Sequence, residues 1–279
     1  MTLSIRTIAG ACALVMTMAG CHDNTVPMAA SAAPVAPQVA PPITPHSPTP
    51  PTSSELNSAA AASAVVSEQR SSAANSWTEY LSSVGQDDRR FLEAVASRYY
   101  GTLQFDNAHE RNALSKLGIP TPGEWLSSRE YSDEELAVRG EAGDADALIF
   151  LTDRLIARMS GVRSKAGESS YLAYVNSLPE EMRSPGRNDL VDAVARASSS
   201  YSLSPTPFTA YQYGIAMAEV TGSPSIIPAS ITIAGELGDA RAAGILASYY
   251  KTAPRSDDAA VLQAEDIMRE MSRSPLKRK

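Results

Sequence analysis

Residues 140–151 read GEAGDADALIFL and residues 235–246 read GELGDARAAGIL. Gly140, Glu141, Gly143, Asp144, Ala145, Ala147 and Leu151 return 95 positions later, in the same order and spacing. Two readings compete. One is a duplicated acidic site, with Glu141/Asp144 and Glu236/Asp239 as metal-binding or acid–base carboxylates. The other is a helix joint used twice. DEELAVRGEA precedes Gly143 and SIIPASITIAGEL precedes Gly238, and both look like the closing turns of a helix. Glycine suits the left-handed position just past a helix end. Aspartate then offers an N-cap oxygen to the next helix, and its charge suits that helix's positive end. Ala145 and Ala147, or Ala240 and Ala242, keep the opening turn thin. The apolar faces Leu148/Phe150/Leu151/Leu155 and Ile245/Leu246/Tyr249 are then expected to enter a core. Neither carboxylate pair has a histidine nearby, and capping already accounts for the aspartates. Gly143, Asp144, Gly238 and Asp239 are therefore read as a structural helix-joint motif, with no catalytic, cofactor or metal site assigned to them.

Outward from the joints, the helix signals multiply. Trp77, Tyr80, Leu81 and Val84 fall at i, i+3, i+4 and i+7, and Phe91, Val95 and Tyr99 continue the period. Thr121-Pro122, Ser184-Pro185, Thr206-Pro207 and Ser223-Pro224 each pair an N-cap hydroxyl with a proline at the first helical position. Thr121…Glu124 and Ser132…Glu135 have capping-box spacing. Strand alternation is rare, and Ser225-Ile226-Ile227 is flanked by prolines. The expected fold is all-α: an α-α repeat-like array of about 8–10 helices over residues 76–279.

The chain opens MTLSIRTIAGACALVMTMAGC, a basic residue before a short apolar run and then small residues. That pattern predicts a secretory signal over residues 1–20, too short for a membrane span of roughly 20 apolar residues. Met18-Ala19-Gly20-Cys21 resembles the lipobox of bacterial lipoproteins. The resemblance implies cleavage before Cys21, acylation of its thiol and new amino group, and anchoring in a membrane. His22 stands where an aspartate would retain the protein at the inner membrane, so the family rule implies the outer membrane, facing the periplasm. Only Cys12 and Cys21 exist; once Cys21 is acylated no thiol remains for a disulfide or a metal. Residues 21–75 form the expected lipid anchor and a disordered Pro/Ala/Ser-rich tether. No Asp, Glu, Lys or Arg occurs from Thr25 to Ser54. At roughly 3.1 Å per residue, residues 22–54 would span on the order of 100 Å.

The joints themselves resemble Sel1-like and TPR-like helical repeats, through IAGELGDARAAGILASYY followed by SDDAAVLQAEDIMREM, and through ELAVRGEAGDADALIFLTDRL. The 95-residue offset is not a multiple of the 34–40-residue period of such arrays, so the repeats are degenerate. The family implies partner binding and scaffolding without chemistry. The inventory of reactive groups agrees with that expectation. Three histidines occur, two of them in the tether; His109-Glu110 starts like a zinc-protease helix but lacks its second histidine. No nucleophile elbow, phosphate loop or dinucleotide fingerprint occurs. Ser248-x-x-Lys251 and Ser274-x-x-Lys277 match a penicillin-binding pattern without its companion motifs. Glu93, Glu124, Glu141 and Glu219 are unassigned carboxylates of the kind a glycan hydrolase needs, for which sequence holds no local signature. A net charge of −7 speaks against nucleic acid, and Lys277-Arg278-Lys279 is read as a solvated tail.

Eleven tyrosines against four phenylalanines are the unusual statistic, with Tyr99-Tyr100, Tyr211/Tyr213 and Tyr249-Tyr250 set on both faces of their helices. Such residues serve either a half-buried core or an interface. The expected function is a non-enzymatic, outer-membrane-anchored module that binds an envelope protein. An immunity lipoprotein neutralising a toxic effector is the rival, and a cell-wall hydrolase the third reading.

Overall fold

The structure, a computed structural model, describes residues 74–253 and 257–273. The signal, Cys21 and the expected tether up to residue 73 lie outside these residues, as does the basic tail, whereas Ala74 is buried in the core. Among the described residues there are twelve helices and no strand. They are α1 Trp77–Ser83, α2 Gln86–Arg98, α3 Ala108–Lys116, α4 Pro122–Ser128, α5 Asp133–Glu141, α6 Ala145–Ala166, α7 Tyr171–Ser177, α8 Glu180–Leu203, α9 Pro207–Thr221, α10 Ile226–Glu236, α11 Ala242–Thr252 and α12 Asp258–Arg273. The fold is all-α, as the sequence predicts. The number exceeds eight to ten because three helices are only seven residues long, too short for a periodicity to show.

Caps explain most of the starts. Thr121 and Ser132 accept from the amides of Glu124 and Glu135, whose carboxylates return a bond to the N-cap amides. Thr206 forms the same reciprocal arrangement with Thr209, ahead of Pro207. Each such cap is worth about 1 kcal/mol. Three expectations are corrected. Pro185 does not open a helix: it lies inside α8, which starts from Pro179. Proline's φ is helical, and the carbonyl its missing N–H would have served belongs to Glu181, an exposed residue in the first turn of α8. Pro224 lies in the turn ahead of α10, which begins two residues later at Ile226 without a side-chain cap. The apolar period through Trp77 and Phe91 belongs to two helices, divided at Val84 and Gly85.

The core gathers around α6 and α9. Eleven residues of α9 are buried, on all of its faces, as expected of a helix with neighbours all round. It packs on α6, α7, α8 and α10. A Cβ on Gly214 would sit 2.1 Å from the Ser230 Oγ, so glycine is what lets α9 and α10 approach so closely. Tyr99, Trp125, Phe150 and Phe208 form the aromatic centre, with ring centroids 4.7 Å apart for Tyr99–Phe208 and 5.0 Å for Trp125–Phe150. A smaller cluster of Leu155, Met159, Tyr171, Val175, Leu190, Ala193 and Val220 lies among α6 to α9.

The repeat-like character resides in the two joints and not in a regular superhelix. In a solenoid each unit touches only its neighbours. Here α6 packs on α4, α5, α7, α8 and α9, while α11 and α12 each pack against α10.

Both joints end their first helix identically. Gly143 and Gly238 have φ of +95° and +110°. The Asp144 amide donates to the Arg139 carbonyl and the Asp239 amide to the Ala234 carbonyl, both at 3.0 Å, while each glycine amide bonds one residue further on. This is the Schellman arrangement. The leading glycine has its own purpose: a Cβ on Gly140 would meet Leu148 Cδ2 at 2.4 Å, and one on Gly235 would meet Ala242 Cβ at 3.1 Å. Alanine at Gly143 or Gly238 is expected to cost about 1–2 kcal/mol through the left-handed backbone alone. Alanine at Gly140 should cost about 1–3 kcal/mol through overpacking. Urea unfolding of the full chain followed by circular dichroism measures both, and an unshifted midpoint for Gly238→Ala would refute the corner geometry.

Candidate functional site

The repeated acidic residues do not form a site. Glu141 is exposed; Glu236 is exposed and paired with Arg269 of α12, whose guanidinium holds its carboxyl below the usual range. No group of histidine, cysteine, aspartate and glutamate able to hold a metal occurs among the described residues. Of the other unassigned carboxylates, Glu93 is exposed, Glu124 closes the cap of α4, and Glu219 is paired with Arg163. His109 is exposed on α3.

The two aspartates differ in what they do. Asp144 caps α6, its Oδ1 accepting from the Ala147 amide at 3.1 Å, and Oδ2 holds the half-exposed Arg139 at 2.7 Å. Asp239 does not cap α11 in this way. Its side chain is 1% exposed. Oδ1 accepts from the Arg241 amide and Nε, both at 3.0 Å, and Oδ2 accepts from the Tyr211 hydroxyl and Arg241 NH2, both at 3.1 Å. Arg241 NH1 continues to the Thr102 carbonyl at 2.9 Å. The second joint is thus a buried clasp joining α9, the α10–α11 corner and the turn after α2.

That turn carries the side chain that the joints bring into play. Helix α2 ends with the same bond pattern as the joints: Gly101 N–H to the Ala96 carbonyl at 2.8 Å, Tyr100 N–H to the Ser97 carbonyl at 3.3 Å. Yet the left-handed position is held by Tyr100, at φ +54°, where the joints have glycine. Tyr100 is the one non-glycine residue with positive φ among the described residues. A side chain there costs about 1–2 kcal/mol, and strain of this kind collects at functional positions.

The Tyr100 ring stands edge-on to Tyr249 of α11, with centroids 6.3 Å apart, and Tyr249 is edge-on to Tyr250 at 5.9 Å. Two hollows meet at the Tyr100–Tyr249 pair. One, of about 450 Å³, is lined by Arg241, Gly244, Ile245, Ser248 and Thr252. The other, of about 350 Å³, is lined by Arg98, Arg163, Ser169, Glu219, Ser223 and Ile227 among others. Both sizes fall in the range of binding sites. Their charges are spent internally. Arg98 is held by the buried Asp153, whose carboxyl burial pushes up against the pull of Arg98. Arg163 grips Glu219 through two bonds of 2.8 Å, and Arg241 is held by Asp239. Burial raises the phenols of Tyr100 and Tyr249 above the usual tyrosine range, with the neighbouring Tyr249 and Tyr250 phenols adding to it respectively. Both therefore remain protonated donors at neutral pH. The cleft offers aromatic faces and hydrogen-bond donors; it assembles neither a nucleophile with a base nor a free carboxylate pair.

The tyrosine doublets are plain in the sequence, but their division of labour is set by the fold. Tyr99 points into the aromatic centre, where the Gln212 amide donates to its hydroxyl at 3.0 Å, while Tyr100 lines the cleft. Tyr211 and Tyr213 are both buried. The signal available was Tyr-Tyr-Gly closing an amphipathic helix, with the glycine one position later than a left-handed end requires. Arg98 and Arg163 gave no signal, since their partners lie 55 and 56 residues away.

The contrast between the aspartates is measurable. Asp239→Ala strands Arg241 beside buried groups and should cost about 3–5 kcal/mol. Asp144→Ala removes a cap and an exposed pair and should cost about 0.5–2 kcal/mol. Equal losses in chemical unfolding would contradict the clasp.

Comparison with protein-family models, curated proteins and solved structures returns no match for this chain, so its cleft is read from its own chemistry.

Proposed function

We propose that this chain is an outer-membrane lipoprotein, anchored through acylated Cys21, whose helical domain binds an envelope protein and performs no chemistry of its own. The observation that carries the binding reading is the left-handed Tyr100. The protein keeps an aromatic ring at a backbone position where the four other corners of this bond pattern, at Gly118, Gly143, Gly167 and Gly238, use glycine, and that ring faces a cleft. Rigid, half-buried tyrosines with a polar tip are favourable anchors for a partner. Three arginine–carboxylate pairs leave the cleft without an uncompensated charge, which favours recognition over acid–base work. The lipobox-like Met18-Ala19-Gly20-Cys21 supports the anchor, and the charge-free, proline-rich stretch from Thr25 to Ser54 supports a spacer between membrane and domain. The Sel1-like and TPR-like resemblance of the two joints points to the same class of role.

Expression of the full chain in a Gram-negative host tests both halves. Cys21→Ala is expected to move the protein from the membrane to the soluble fraction; retention in the membrane would defeat the anchor. In-cell cross-linking of the anchored chain should yield a discrete partner that Tyr100→Gly and Tyr249→Ala remove. Cross-links unchanged by these substitutions, or none at all, would defeat the cleft as the binding surface. Muropeptide release by the purified protein would favour the hydrolase reading instead.

A further inference from the structure

We infer that Asp153 and Asp239 are positioning residues for the Tyr100 cleft: two buried carboxylates that pin the chain on either side of Tyr100 and keep its ring in the left-handed corner. This rests on the partner-binding reading for the role of the ring, and names what holds the ring in place. At φ +54°, Tyr100 carries the steric cost of a Cβ in left-handed backbone. A cheaper closure lies one residue on. Gly101, itself at φ +75°, would serve as the left-handed residue of an α2 extended through Tyr100, with Tyr100 then in ordinary helical backbone. The extension adds about 100° of rotation and about 1.5 Å of rise, so it turns Tyr100 away from its place and shifts the residues around it.

Both flanks of Tyr100 are tied against that slip. On the near side, Arg98 is bonded to Asp153 of α6, and the Tyr99 hydroxyl faces the same carboxylate. The Gln212 amide of α9 donates to the Tyr99 hydroxyl at 3.0 Å and to the Ile149 carbonyl at 2.9 Å, while the Tyr99 ring lies 4.7 Å from Phe208. On the far side, the Thr102 carbonyl accepts from Arg241 NH1 at 2.9 Å. Asp239 grips that guanidinium through Nε at 3.0 Å and NH2 at 3.1 Å. Asp153 and Asp239 are both buried, so neither pair is screened as an exposed one would be. A slip would turn Tyr99 out of its bonds and draw Thr102 from Arg241. The two carboxylates come from different elements, α6 and the α10–α11 corner, and meet the chain at residues 98 and 102. What they hold is a preorganised ring, which has less freedom to lose when a partner binds.

The backbone state at position 100 is read by exchanging small residues there. Glycine is favoured over alanine in left-handed backbone, and alanine over glycine within a helix. Tyr100→Gly and Tyr100→Ala both lose the ring, so its contacts cancel between them. Urea unfolding of the full chain in detergent, followed by circular dichroism, is expected to give Tyr100→Gly an unfolding equilibrium constant about fivefold to tenfold smaller than that of Tyr100→Ala. Arg98→Gln with Asp153→Asn neutralises the near clasp without stranding a charge, and should cut the glycine advantage below about twofold or reverse it. Arg241→Lys should do the same from the far side: it keeps a cation for Asp239 and gives up the fork that reaches Thr102. Being the milder change, it decides the matter if the neutral pair does not fold. Residues that merely stabilised the fold would weaken both position-100 variants alike and leave the advantage intact. The inference is overturned if glycine has no advantage in the otherwise native chain, or if its advantage survives undiminished in either folded background. In the anchored chain, Arg241→Lys should also remove the Tyr100-dependent cross-link, although Tyr100 and Tyr249 are unchanged; a cross-link at full yield would overturn the inference as well. A glycine advantage that falls as expected, in a chain that cross-links to nothing, would uphold the clamp and defeat only the partner-binding reading.

Discussion

A helix end leaves carbonyls with no amide to serve them, and a fold of many short helices meets that problem at every corner. Here several corners are closed in the same way, by a left-handed residue that turns the next amides back onto the last helical turn. The requirement governs much else. It places glycine at 143 and 238, fixes the direction in which α6 and α11 leave their corners, and sets Leu148 and Ala242 against Gly140 and Gly235. Where the chain puts Tyr100 into that position, the same geometry turns a ring outward toward α11.

The joints show how one local solution acquires two roles. Asp144 lies near solvent, where an arginine from the preceding helix and an amide of the following one suffice. Asp239 lies beneath α9 and would be a costly buried charge without close partners. Arg241, two residues on, supplies the counter-charge, and Tyr211 supplies a neutral donor from across the core. Arg241 then reaches the carbonyl of Thr102, two residues beyond Tyr100. The buried clasp thereby holds the wall that carries Tyr249 against the turn that carries Tyr100. Structural and candidate binding residues are coupled through one guanidinium.

Much of the fold was legible in the chain because its causes are local. Capping boxes at Thr121 and Ser132, the proline after Thr206 and the glycine–aspartate corners each act within a few residues, so their pattern survives in one dimension. Pro185 is tolerated within α8 because the carbonyl it leaves unserved belongs to an exposed residue near the helix start, a fact about exposure and not about spelling. The seven-residue helices escaped notice because they hold too few turns for a stripe. The cleft was illegible for another reason: Tyr100 and Tyr249 are far apart in sequence, and so are Arg163 and Glu219.

The sequence by itself determined that the described chain is helical, where α4, α5, α6 and α9 start, and that the repeated GDA segment turns one helix into the next. Those outcomes follow from hydrogen bonds and steric limits within a turn or two. Only the tertiary structure decided that one aspartate of the repeat is a solvated cap and the other a buried clasp. It also decided that Tyr99 faces the core while Tyr100 faces a cleft. Burial and pairing depend on what packs across from a residue, and here those neighbours come from Tyr211, Thr102 and Tyr249, remote in sequence and joined only by folding.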